Sequence, residues 1–182
     1  MANGDGRLVN LATRGAVKTG GAQLIAGFVT AGGSLRLLTR AAGPGLSPFG
    51  VANVLADPQL ALVPAGGSTV VASNNDWDAT AEPSLATAFA QAGAFAFPVG
   101  SKDAALLFTT TPDATGYAAT VSGVGGQTGT ALVEVYDAST TPAGPDRPRL
   151  INVATRGEVS PGVPLVAGFV LRGTQPRRVL IR

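Results

Sequence analysis

Two stretches at opposite ends of this chain read almost alike. Residues 7–40 are RLVNLATRGAVKTGGAQLIAGFVTAGGSLRLLTR, and residues 149–182 are RLINVATRGEVSPGVPLVAGFVLRGTQPRRVLIR. With one gap in each, about half the positions are identical, and most others exchange one aliphatic residue for another. The apolar runs are too short for helices and are bounded by glycine on nearly every side. Each copy is therefore expected to form three short strands. In the first these are Leu8–Arg14, ending at Gly15, then Gln23–Thr30 after a Gly-Gly turn, then Leu35–Ala41 after Ala-Gly-Gly-Ser. A three-stranded unit of this size cannot bury its apolar face alone, so each copy must pack on something else.

The stretch between the copies keeps the same character. Leu60–Val63 and Thr69–Ser73 flank Pro64-Ala-Gly-Gly67 as a hairpin, and Ala104–Thr110, Gly116–Ser122 and Thr130–Asp137 read as further strands. Thr-Pro-Asp and Gly-Val-Gly-Gly loops separate these last three. Tyr117, Ala119 and Val121 share one strand face, and so do Val133 and Val135. Residues 84–92 are the exception: Leu85, Ala88, Phe89 and Ala92 recur at helical spacing, with Pro83 suited to a first turn and Gly93 to a stop. Strands at roughly ten-residue intervals between turn signals indicate an all-β fold, an antiparallel β-sandwich with one short helix near 84–92. The organisation expected is a β-sandwich module over 1–138, a stiff proline-rich linker over 139–148, and the second three-strand unit over 149–182. That unit packs either on the same sandwich or on a neighbouring subunit.

Composition removes much of the remaining choice. The chain has 182 residues with 25 Gly and 13 Pro, and only 13% are charged, about half the usual share. Disordered tails and helical bundles are excluded on that ground. There is no Cys and no His, so zinc fingers, disulfide scaffolds, thiol nucleophiles and histidine-based triads are impossible within this chain. Thirteen basic residues against eleven acidic ones leave a net charge of +2, without the concentrated basic runs of a nucleic-acid binder. No run of apolar residues approaches a membrane span. Met1–Gly6 lacks the charged and apolar regions of a signal peptide, which suits a cytosolic product or an excised or mature piece.

Chemistry-bearing patterns are few. Asn74, Asp76 and Asp78 alternate in Ser73-Asn-Asn-Asp-Trp-Asp78, and oxygen ligands so placed can wrap a Ca²⁺, although the closing Glu and the Gly of an EF-hand are missing. The competing reading is an Asx turn that caps the next segment and folds Trp77 onto the core. Arg14 and Arg156 share one repeat position, and Arg40 and Arg182 share another. They suit either an acidic ligand or partner chain, or a structural ion pair with Glu134 or Asp137, which is the reading preferred. The eleven acids include no pair in a recognisable catalytic setting, and Ser101 and Lys102, being adjacent, would point to opposite strand faces. The Gly123–Gly126 loop lacks the Lys-Ser/Thr of a phosphate loop and reads as a turn. One Trp and two Tyr are few for a sugar-stacking platform. No enzyme is expected.

Five segments carry a resemblance. LVNLATRG, LIAGFV, RAAGPGLSPFGVANVLADPQL, ASNNDW and VSGVGGQTGTALVEVYD resemble a repeat module of large secreted or surface proteins of Verrucomicrobia-like and Planctomycetes-like bacteria. The likeness spans about residues 7–182, as one complete module and the opening of a second. The middle section is more weakly similar to bacterial pre-peptidase C-terminal domains, which are secreted β-sandwiches. The resemblance implies export to the exterior or the cell surface, and a jelly-roll-like or immunoglobulin-like sandwich. Two functions follow as expectations. The first is a structural module that self-associates into filaments or arrays through strand pairing of its terminal segments, with Leu150, Asn152, Arg156, Phe169, Arg178 and Leu180 at the joint. The second is a calcium-supported module that binds polysaccharide or the cell surface through loops 73–78 and 93–103.

Overall fold

The structure, a computed structural model, describes residues 6–112, 116–140 and 147–182. Most of the expected linker at 139–148 lies outside these residues, as does Asp113 at the end of the Thr-Pro-Asp loop. In chain order the described elements are β1 (Arg7–Val17), β2 (Leu24–Ala31), β3 (Arg36–Ala42), a 3₁₀ turn (Pro44–Phe49), β4 (Pro58–Pro64), β5 (Ala72–Asn74), α1 (Pro83–Ala92), β6 (Ala104–Thr109), β7 (Tyr117–Gly123), β8 (Gly129–Asp137), β9 (Arg149–Arg156) and β10 (Val166–Arg172). Every pairing between these strands is antiparallel. The fold is all-β and sandwich-like.

The strands run in the order β5-β4-β7-β2-β9-β1-β8-β3-β6, with β10 joined to β1. The sheet curls until its two ends nearly meet, where the Ala105 N–H donates to Asn74 Oδ1 at 3.0 Å. Curling places one face of every central strand inside. Leu37 and Ala41 of β3, Leu60 and Leu62 of β4, Tyr117, Ala119 and Val121 of β7, and Ala131, Val133 and Val135 of β8 fill that interior. Alternation alone accounts for it, because residues two apart on a strand share a face.

The outer faces of β3, β6 and β8 are buried as well. Leu38, Ala42, Ala105 and Tyr136 meet Leu46, Trp77, Leu85, Ala88, Phe89 and Phe97 in a second core beneath α1. Strands covered on both sides read as continuous apolar runs, which is why LRLLTRAAG shows no clean alternation. The helix itself follows its signals: Pro83 lies in the first turn, and Gly93 ends it in the left-handed region at φ 72°.

Three local expectations differ from the structure. β1 does not stop at Gly15 but continues to Val17. The expected strand Thr69–Ser73 is paired over Ala72–Asn74 only. In the second copy the first two strands form, as β9 and β10, while 173–182 forms none.

Candidate assembly surface

The two similar segments meet in one sheet through reciprocal exchange. β1 of the first copy pairs with β10, running from Arg7↔Arg172 to Arg14↔Val166. β9, the counterpart of β1, pairs with β2, running from Ala31↔Arg149 to Ile25↔Arg156. The two registers are the same when each residue is replaced by its repeat counterpart: Leu11↔Phe169 matches Phe28↔Val153, and Ala12↔Gly168 matches Gly27↔Ala154. Even the irregularity recurs at the same place, between Leu8 and Asn10 in one pairing and between Val29 and Thr30 in the other. The copies are thus related by a local pseudo-twofold, the arrangement of an isologous interface built within one chain.

Counterpart residues meet at the centre of this relation. Thr13 Oγ1 and Thr155 Oγ1 share a hydrogen bond of 2.7 Å. A Cβ on Gly15 would lie 2.8 Å from Leu165 Cδ1 and 3.0 Å from Leu24 Cδ1; one on Gly157 would lie 2.8 Å and 3.1 Å from the same two atoms. Gly15 and Gly157 are counterparts, and so are Leu24 and Leu165. These glycines therefore serve close approach inside the joint, not strand termination, which corrects the expected end of the first strand. Leu8 pairs with Leu150, again a counterpart pair, and Leu150 is buried in the main core. Lys18 and Glu158 form an ion pair, and Arg156 Nη2 donates to the Gly21 carbonyl at 3.1 Å.

Beyond the joint the copies part company. In the first, β1 gives its other edge to β8, β2 gives its other edge to β7, and β3 lies between β6 and β8. In the second, the outer edge of β9 meets β1 only at Leu150↔Leu8, and no strand among the described residues pairs with that edge from Asn152 onward or with the outer edge of β10. Every residue of β10 is exposed. Of the residues expected at an assembly joint, Leu150, Asn152, Arg156 and Phe169 lie on β9 and β10 against β1 and β2 of the same chain. Arg178 and Leu180 lie on the exposed terminal stretch.

Arg40 occupies the second core. Its guanidinium carbon sits 4.3, 4.4 and 4.0 Å from the ring centres of Phe89, Phe95 and Phe97, and Nη1 donates to the Phe95 carbonyl at 2.7 Å. Nε lies 3.3 Å from Glu134 Oε2, and the Tyr136 hydroxyl donates to Glu134 Oε1 at 2.6 Å. Burial raises the Glu134 carboxyl above the usual range, with Arg40 and the Tyr136 hydrogen bond opposing it. Burial likewise lowers Arg40, and burial raises the Tyr136 phenol with help from the nearby Glu134 charge. The cation is held by ring faces and one carboxylate, the means available to a fully buried guanidinium. Asp137 instead meets Arg7 and Arg147, and Arg14 is exposed. The aromatic nest went unread in the sequence; its signal is an Arg inside LLTRAAG together with the closely spaced Phe95 and Phe97.

The polar loop at 73–78 is tied to the protein at each expected ligand. Asn74 Oδ1 accepts from Ala105, and Asn74 Nδ2 donates to the Asp76 carbonyl at 3.1 Å. Asp76 pairs with Lys102 at 3.0 Å. Asp78 Oδ1 accepts from the amides of Thr80 and Ala81, which hold its carboxyl below the usual value. Trp77 is buried, its Nε1 donating to Ser101 Oγ at 3.1 Å, and Ser101 Oγ donates to the buried Asp103 at 2.6 Å. Ser101 and Lys102 thus turn to different partners. Among the described residues no helix is long and apolar enough to cross a membrane, and no group of three or more acidic side chains gathers as a metal site. Comparison with protein-family models, with curated proteins and with solved structures returned no match to this chain.

Proposed function

We propose that this chain is a non-enzymatic structural module of an extracellular or cell-surface protein, and that its duplicated terminal segments are joints through which β bodies associate into arrays or filaments. The observation that carries the reading is the identical register of β1–β10 and β2–β9, down to the shared irregularity. Two segments that pair reciprocally at matched positions behave as an interface and not as filler. Main-chain pairing supplies the adhesion of such a joint, and side-chain fit supplies its register. The outer edge of β9 beyond its bridge to β1 at Leu150, and that of β10, leave room for further pairing, and residues 151–155 and 166–171 carry no charge or proline to block it. The extracellular setting rests on the resemblance of the quoted motifs to modules of secreted and surface proteins.

Negative-stain electron microscopy and sedimentation across a concentration series test the reading. Filaments, rings or a growing series of oligomers are expected. Uniform single particles at every concentration would overturn self-association.

A further inference from the structure

The second copy has the same sequence pattern as the first and half of its partners. Its counterparts in the first copy say what is missing. Leu37 and Leu38 are fully buried between β6 and β8, whereas Val179 and Leu180 at the same repeat positions are 44% and 85% exposed. Phe28 is 2% exposed under β7, whereas Phe169 is 40% exposed. Thr39 is buried and Ile181 exposed; Arg40 is buried against Glu134 and Arg182 is exposed. The uncovered positions are those that β6, β7 and β8 cover in the first copy.

We infer that the face made by β9, β10 and residues 178–182 is a docking surface for a second β body of the same kind as residues 41–138. A β8-type strand of that body pairs along β9, a β7-type strand pairs along β10, and residues 178–182 become a strand between β8-type and β6-type partners. A carboxylate on the β8-type strand, at the place of Glu134, meets Arg182. The inference rests on the proposed assembly role and names its partner. A second copy of this chain as it stands can meet this face only edge to edge, through its own β9 and β10, because its body already covers its own β1, β2 and β3; the full complement is a body with those positions free. Continuity with the existing joint argues for the mode of docking: β9 and β10 are already held in register by β1 and β2, so the incoming body meets a preformed template.

The test extends the full chain. Arg182 is the counterpart of Arg40, so a second copy of residues 41–138 is appended directly after Arg182, and backbone hydrogen exchange is followed over 165–182. Exchange of the β10 and 178–182 amides should slow by at least about tenfold relative to the original chain, as stable strand pairing requires. The same extended chain with Arg182→Leu should lose much of that protection, and so should one whose appended counterparts of Val133 and Val135 are Asp. Unchanged exchange over 165–182 in the extended chain, or protection indifferent to all these substitutions, would overturn the docking surface. Sedimentation of the original chain in parallel separates the two readings. Self-association with no protection in the extended chain removes this partner and leaves the assembly role. Protection in the extended chain with a monomeric original chain supports this partner and removes self-association.

Discussion

Phe28 and Phe169 sit in the same motif, AGFV, on strands paired in the same register, yet one is sealed in the main core and the other faces outward. The same contrast runs through the two copies. Strands form in both wherever a partner strand is present, which covers β1, β2, β9 and β10. The third strand forms only in the first copy, where β6 and β8 flank it. Local sequence sets what a segment is able to become; the neighbours decide whether it does. An isolated strand has no hydrogen-bond ladder of its own, so 178–182, with the pattern of β3 and no flanking pair, stays irregular.

The sharpest way to break that comparison is to make the same substitution at counterpart positions. Arg40→Ala leaves Glu134 buried without its cation and strips the guanidinium from three rings, and urea unfolding should show a loss of about 3–5 kcal/mol. Arg182→Ala should stay within about 0.5 kcal/mol of the unaltered chain. Equal losses at the two positions would mean that Arg182 is already seated in a core. Phe28→Ala should likewise cost about 3–5 kcal/mol, and Phe169→Ala about 1 kcal/mol, by the cavity each leaves.

Where the copies meet, the comparison reverses and the counterparts should behave alike. Gly15→Ala and Gly157→Ala both drive a Cβ against Leu24 and Leu165, and each should cost about 1–3 kcal/mol by crowding. Because they press on the same two leucines, the double variant should depart from additivity. Additive, unequal losses in the same unfolding assay would contradict the shared contact.

The smallest effect expected is one of pH. The folded chain holds the Glu134 proton more tightly than the unfolded chain does, because burial penalises the charged form. Its contribution to stability is whole below the ordinary carboxylate range and is lost as pH rises through the raised value. The stability of the unaltered chain relative to Glu134→Gln should therefore fall as pH rises through and above the ordinary carboxylate range. A relative stability that rises over that range would show that Arg40 outweighs burial at this carboxyl.

Much of the fold was legible. The strands of the first copy, the helix from Pro83 to Ala92 and the shared faces of β7 and β8 follow from alternation, helical spacing and glycine punctuation. The copies were visible as a duplication, but their registers were not, because register is fixed by which edges are free in three dimensions. Gly15 illustrates the limit: a glycine in a strand reads as an end from sequence, and its reason here is a leucine 150 positions away. Arg40 illustrates another. A lone arginine in an apolar run gives no hint of three rings contributed by α1 and the loop after it, since all of those contacts are long-range.

The central claim is that the second copy pairs back onto the first within one chain, counterpart against counterpart. Thr13 and Thr155 test it most directly, since their hydroxyls lie 2.7 Å apart and the chain has no cysteine to compete. Replacing both by Cys and oxidising a dilute sample should close a disulfide inside a single chain, because side chains this close suit the bond. The account predicts a monomeric product of increased mobility on a non-reducing gel, restored by reductant. Failure to cross-link, or a ladder of joined chains in dilute solution with no closed monomer, would contradict it.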